Sequence, residues 1–293
     1  MAIILGGPGI FLGGTSTPPV TPLLLDTYGG AAVAYSLRKL SSTYSGSAIR
    51  VRRSSDNAEQ DIGFVSGDLD TSSLLSFVGA NNGFITTWYD QSGNSRDAEQ
   101  SSNTNQPQIV LSGSVVMVDG NPSIQFDGNN TYFVISSNIT GEGFSIYTTF
   151  KANSQDPAQD GWLFDNLTSY GRGLLHDDYL SGRVTLISDT SATTPIRVRS
   201  SIDTNLNLIT GIIDNDNSNG TMEIFRNSIS EDSFTGIIPY EENLFTQYIG
   251  AGTSTPNELF NGNILELIVY TGSDLFSDRV GIETNINDYY SIY

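Results

Sequence analysis

The sequence predicts an all-β sandwich or jelly roll, with short helices near the N-terminus and one helix at the C-terminus. Three observations predict it. From Ile109 onward, runs of β-branched and aromatic residues return roughly every ten residues. They are Val115–Val118, Ser123–Phe126, Tyr132–Ile135, Phe144–Phe150, Gly161–Phe164, Arg183–Ile187, Ile196–Arg199, Leu208–Asp214, Thr221–Arg226, Thr246–Gly250 and Asn263–Tyr270. Turn formers separate these runs, as in Asp119-Gly120-Asn121-Pro122 and Asp127-Gly128-Asn129-Asn130. Charged residues are only 15% of the chain, while Ser, Thr, Asn and Gly abound; that is the composition of an extracellular or virion-surface β protein rather than of a helical cytosolic enzyme. No fixed period stands out, which disfavours a propeller or solenoid.

Taken in order, residues 1 to about 25 read as an arm. Ile3-Ile4-Leu5 and Ile10-Phe11-Leu12 are apolar patches divided by Gly6-Gly7-Pro8-Gly9, and the proline-rich Thr15–Pro22 reads as an extended linker. The six apolar residues are expected to anchor the chain on a neighbouring subunit, with residues 26–293 forming the sandwich. Ala31–Leu40 reads as a short amphipathic helix, because Val33, Leu37 and Leu40 recur at helical spacing. Arg50-Val51-Arg52 reads as a strand with an exposed basic edge. Arg38, Lys39, Arg50, Arg52 and Arg53 are expected to pair with the acidic excess, a contact with an anion or acidic glycan being the alternative.

Asp70 or Ser72 is expected to cap a second short helix carrying Leu74, Leu75, Phe77 and Val78, which Gly79 ends. Phe84–Tyr89 is apolar on both faces and should lie centrally in a sheet. It stops at Asp90-Gln91-Ser92-Gly93-Asn94, where the Asp90 carboxylate can accept backbone N–H groups and Gly93 can supply a positive φ. The final helix is expected from a cap at Ser277 and the stripe Ile282, Ile286, Tyr289, Tyr293.

Charge and residue counts exclude several functions. Thirteen basic and 32 acidic residues give a net charge of -19, a surface that repels phosphates and anionic lipid and so argues against nucleic-acid binding. Without cysteine there is no disulfide framework or thiol chemistry. The single histidine, His176, excludes a multi-histidine metal site. Met1-Ala2-Ile3-Ile4-Leu5 lacks a basic n-region, so no signal peptide is expected, and no apolar run approaches a membrane span. Asp214–Gly220 has the look of a calcium loop, but its glycine falls one residue late and Phe225 stands where an EF-hand needs glutamate. It reads as a hairpin tip, and no cofactor is expected, calcium being the one option left open.

Tyr89-Asp90-Gln91-Ser92-Gly93-Asn94, with Gln100, resembles a motif in the catalytic domain of fungal-type α-L-arabinofuranosidase B. The block Tyr35–Leu40, Ile49–Arg53 and Asp61–Phe64, and the close Asn261–Ile264 through Ile282–Tyr290, resemble arabinofuranosidase-like modules of bacteriophage virion proteins. The resemblance implies a concanavalin A-like β-sandwich. It also implies a nucleophilic glutamate just after a Gly-x-Gly segment, and an acid/base aspartate after Ile-Gly-Gly. Matching Gly171-Arg172-Gly173 puts His176 at the first position, with Asp177 and Asp178 within a short slip; matching Ile249-Gly250-Ala251 puts Gly252 at the second. The cysteine pair of the family's substrate pocket has no counterpart.

The expectation on this basis is a non-enzymatic virion surface protein: a tail-fibre, tail-tip or head-decoration subunit. It would be a homo-oligomer, held to other virion proteins by its arm, and would present a lectin-like domain to host glycans. Trp162, Tyr170, His176, Asp177 and Tyr179 are the expected sugar contacts, since aromatic faces stack on sugars. The alternatives are a glycoside hydrolase resembling α-L-arabinofuranosidase and a purely structural decoration module.

Overall fold

The computed structural model describes residues 22–135, 137–141, 143–154, 161–165, 172–177, 182–189, 195–215, 219–238, 246–252, 258–272 and 275–293. The arm residues Ile3, Ile4, Leu5, Ile10, Phe11 and Leu12 lie outside them. The helices are α1 Leu24–Thr27, α2 Thr71–Val78 and α3 Arg279–Tyr290. The principal strands in the first half are β1 Val33–Ser36, β2 Ile49–Arg53, β3 Glu59–Ile62, β4 Gly83–Trp88, β5 Gln108–Leu111, β6 Ile124–Asp127, β7 Phe133–Ile135 and β8 Phe144–Ala152. Those of the second half are β9 Gly161–Asp165, β10 Arg172–Asp177, β11 Arg183–Ser188, β12 Ile196–Ser201, β13 Asn207–Asp214, β14 Gly220–Arg226, β15 Ile229–Gly236, β16 Gln247–Ile249 and β17 Asn261–Thr271.

These strands form one antiparallel sheet folded over on itself into two layers. In the first layer, β17 pairs with β1 and β6 on one side and with β8 on the other. β13, β14 and β15 follow β8 in order. In the second layer, β3, β2 and β4 are neighbours, and a short bridge at Ala98–Glu99 leads to β7. β16, β9, β10, β11 and β12 complete it. β5 pairs with β4 and touches β6, which joins the layers. The core between them is apolar: Tyr35, Ile146 and Leu267 from the first layer meet Ile85, Trp88, Phe133 and Leu174 from the second. The outer face of the first layer is covered too, because Leu24, Ile282, Ile286 and Tyr290 pack on Tyr147, Leu208 and Ile268.

The helix expected over Ala31–Leu40 is instead the strand β1. Val33 and Tyr35 enter the inner core while Ala34 enters the cluster beneath α1 and α3. A strand buried on both faces shows no alternation, and its apolar spacing imitates a helix. α2 forms as expected, with the Asp70 carboxylate accepting from the Ser73 N–H at 2.9 Å. α3 starts after Asp278 rather than Ser277, and Tyr293 lies beyond its end and is exposed.

β4 is central, with β2 on one side and β5 and the 98–99 bridge on the other. Asp90 is the turn-former expected after it: its carboxylate accepts the N–H groups of Ala34 and Ser92 at 2.9 Å and of Arg96 at 3.1 Å. Three of the five cations are paired with acids. Arg38 makes a buried two-pronged contact with Glu266 at 2.8 and 2.9 Å, Arg50 meets Asp61 and Arg53 meets Asp56. Arg52 is buried against Gln106, so the expected exposed basic edge does not exist at that residue.

Candidate functional site

The site is built on the outer face of the second layer, around β9. Residues directly opposite in an antiparallel pair share a face. Trp162 lies opposite Leu175 of β10, and a bulge after it sends both Leu163 and Phe164 into the core. Bulges of this kind re-aim side chains. Trp162, Leu175 and Ile187 then form a small apolar patch separate from the main core. Two glycines make room for the indole. A Cβ on Gly173 would stand 2.5 Å from its Cζ3, and a Cβ on Gly252 would stand 2.8 Å from its Cδ1.

The expected sugar contacts divide by face. His176 follows Leu174 toward the core and is 2% exposed. Asp177, one residue on, shares the outer face with Leu175 and Trp162. A slip of one residue in a strand exchanges the faces, so the side chain turned to the outer face is that of Asp177 and not that of residue 176. Asp177 accepts a hydrogen bond from the buried Thr185 hydroxyl at 2.9 Å, and the Arg199 guanidinium lies 3.7 Å away. β11 and β12 set those partners opposite β10, with Thr185 across from both Leu175 and Arg199. Tyr170 and Tyr179 fall outside the described residues, as does part of Asp214–Gly220.

On the other side of β9 lies a residue the sequence did not single out. The exposed Glu258 accepts a hydrogen bond from the Trp162 indole N–H. Its main-chain carbonyl accepts from the N–H groups of Trp162 at 3.3 Å and Gly252 at 3.2 Å. A Cβ on Gly252 would meet the Glu258 Oε2 at 2.8 Å. The Glu258 carboxylate therefore fills the space that a side chain at 252 would take.

The same face carries Tyr132 and Tyr248, with ring centroids 5.9 Å apart, and Asp165, which lies opposite both Gly173 and Tyr248. Burial raises the Tyr248 pKa above the usual phenol value, and Tyr132 and Asp165 add to the rise. Among the described residues no group of three or more His, Asp or Glu side chains is placed to hold a metal ion.

Residues 26–172 match the family described as “Alpha-L-arabinofuranosidase B, catalytic”. The chain belongs to this family. No curated protein matches it by sequence. Among solved structures, a GH54 α-L-arabinofuranosidase soaked with a cyclic sulfate inhibitor superposes with a TM-score of 0.65 at 14% identity, over 90% of this chain and 64% of that one. An arabinofuranosidase complexed with arabinofuranosyl-α-1,2-xylobiose gives 0.59 at 14% identity over the same shares. The binding domain of Paraclostridial Mosquitocidal Protein 1 gives 0.51 at 16% identity, over 69% of this chain and 49% of that one. At such identities the likeness speaks to fold, and it supports the lectin-like β-sandwich. The chain spans less than two thirds of the length of the arabinofuranosidases it matches.

Family membership overturns the expectation of a non-enzymatic virion surface protein. It points to the glycoside hydrolase that stood as the alternative, and no comparison supports a bacteriophage role. The expectation rested on matching His176 and Gly252 to the two acidic positions that the resemblance implies; Asp177 follows His176 on β10, and the Glu258 carboxylate lies against Gly252.

Proposed function

We propose that this arabinofuranosidase-family chain is a glycoside hydrolase that releases terminal furanosyl residues, and that Asp177 is its nucleophile. One observation carries the reading: the alternation of β10 turns Asp177 outward to the face of Trp162, beside Thr185 and Arg199, while His176 faces the core. The Thr185 hydroxyl fixes one carboxylate oxygen. Arg199 supplies positive charge where the carboxylate must stay anionic to attack. Trp162 shares that face and, with Leu175 and Ile187, forms its small buried apolar patch.

The test is release of 4-nitrophenol from 4-nitrophenyl α-L-arabinofuranoside, the compound soaked into one related enzyme. The wild-type chain is expected to hydrolyse it, and Asp177→Asn is expected to lower kcat by roughly a thousandfold or more while the melting temperature hardly moves. A wild-type chain that cleaves neither this nor any other furanoside or pyranoside of a broad panel defeats the reading, and full activity in Asp177→Asn removes Asp177 from it.

A further inference from the structure

Away from β9 and β10, a hollow of about 330 Å³ opens between the end of α1, the loop 41–46 and the turn after β4. We infer that this hollow is a second carbohydrate site, which holds a short stretch of a neutral polysaccharide without cleaving it. From β4 the sheet runs through the 98–99 bridge, β7, β16 and β9 before it reaches β10. Five strand spacings are roughly 24 Å along the sheet. A sugar held here is therefore not the one presented to Asp177, and the inference stands whether or not Asp177 is a nucleophile.

The walls of the hollow are fixed by the fold. Gln91 is 2% exposed and uses its whole amide: Oε1 accepts the Leu40 N–H at 2.8 Å, and Nε2 donates to the Ser36 and Arg38 carbonyls at 3.1 and 2.9 Å. The Ser92 hydroxyl donates to the Asp90 carboxylate at 2.7 Å. On the loop side, Asp26 accepts the Ser42 N–H at 2.9 Å, and the Tyr44 hydroxyl donates to the Ser47 carbonyl at 2.8 Å. A Cβ on Gly46 would collide with the Tyr44 ring, so that glycine lets the ring lie against the loop. Groups held in place beforehand lose little freedom when a ligand arrives.

The groups left unclaimed decide the ligand. Among the described residues, the main-chain N–H and C=O groups of Gly29, Gly30 and Gly93 make no hydrogen bond, and neither does the Ser45 hydroxyl. All four residues are exposed at the hollow. A Cβ at Gly30 or Gly93 would meet nothing within 4 Å, so their main chain can be approached closely. Donors and acceptors in mixture suit hydroxyl groups, which do both. The half-buried Leu25 and Tyr44 add apolar surface for C–H groups, as small-molecule pockets commonly do. The exposed rim leaves room for a polymer to run out of the hollow on either side.

Ions fit poorly. The described residues that line the hollow carry no charge, so no carboxylate among them holds a cation. Burial pushes the Tyr44 phenol up to about 12, and the charges of Asp97, Asp90 and Asp61 add to the rise. The field at the hollow is thus negative, in a chain whose net charge is -19, and it repels anions. A neutral, hydroxyl-rich chain is the ligand class that remains.

The experiment is native gel electrophoresis in gels cast with and without arabinoxylan, a neutral polymer. The wild type is expected to be retarded by it. Ser45→Trp puts an indole into the hollow from an exposed position, and Tyr44→Ala removes the ring. Both are expected to raise the apparent dissociation constant about tenfold or more. The melting temperature of Ser45→Trp and its kcat/KM on 4-nitrophenyl α-L-arabinofuranoside are expected to match the wild type. Retardation of Ser45→Trp as strong as that of the wild type overturns the inference. So does a wild type that none of arabinoxylan, arabinan and β-glucan retards. Neither result bears on Asp177, which hydrolysis tests. Conversely, a wild type that hydrolyses no glycoside, yet is retarded and loses this in Ser45→Trp, supports the second site and defeats only the hydrolase reading.

Discussion

Asp90 and Asp177 are both buried aspartates, 3% and 7% exposed, yet they are held by different parts of the molecule. Asp90 is held mostly by main chain: the N–H groups of Ala34, Ser92 and Arg96 converge on it, with the Ser92 hydroxyl at 2.7 Å, and tie β1 to the turn after β4. At Asp177, side chains on neighbouring strands take part: the Thr185 hydroxyl donates to it at 2.9 Å and the Arg199 guanidinium lies 3.7 Å away. A carboxylate whose oxygens are fixed by the backbone serves the fold. One that meets side chains on the outer face of a sheet can serve a ligand. The contrast extends to the scaffold's buried Arg38–Glu266 pair, which joins the segment after β1 to β17 and abuts Tyr290 of α3.

If the contrast holds, substitutions at the scaffold end cost stability and spare the chemistry of the folded fraction. Substitutions at the site do the reverse. The largest effect is expected at Arg38. Glu266 is fully buried, and Arg38→Ala leaves its charge without the partner that offsets desolvation. A loss of about 3 to 5 kcal/mol is expected, seen as a lower midpoint in urea unfolding, with kcat per folded molecule unchanged. A variant that stays stable but loses hydrolysis would erase the distinction between the two regions.

Asp90→Ala comes next. It strands the Ala34 and Arg96 amides in a buried turn, and unpaired buried donors cost about 1 to 3 kcal/mol. Hydrogen exchange at those two amides is expected to accelerate before exchange in β10 or β11 does. Uniform acceleration across both layers would show that the turn after β4 is not a local brace.

Asp90 was legible in the sequence because its chemistry is local. A strand of aromatic and β-branched residues ending in Asp-Gln-Ser-Gly-Asn announces both the strand and the turn. The Asp70 cap and the strand runs from Ile109 onward were legible for the same reason. β1 was not, because burial on both faces removes the alternation by which strands are recognised. The site was half legible. Trp162 and Asp177 were singled out, but the choice between His176 and Asp177 depends on which face each takes, and one residue decides that. Glu258 was beyond reach. It meets Trp162 across 96 residues of chain through a strand order that local pattern does not specify. The useful signal was Gly252: the resemblance implies an acid there, and the Glu258 carboxylate lies where a side chain at 252 would stand.

The smallest expected effect sharpens the contrast from the scaffold side, at Asp127 at the end of β6. Burial raises its pKa, but the N–H groups of Asn129, Asn130 and Thr131 and the Thr131 hydroxyl outweigh that and leave it below the usual value. A carboxylate with a depressed folded pKa contributes stability that is present above its unfolded value, about 3.9. That contribution is lost as the pH falls through the folded value. Asp127 is exposed to solvent, so the contribution is about 1 kcal/mol or less. Asp127→Asn, which cannot titrate, is expected to be slightly less stable than the wild type at pH 6, with the gap closing as the pH is lowered below about 4. Urea midpoints for both chains across that window check it. A gap that stays constant with pH would mean that this loop holds Asp127 by shape rather than by charge, unlike the main-chain grip seen at Asp90.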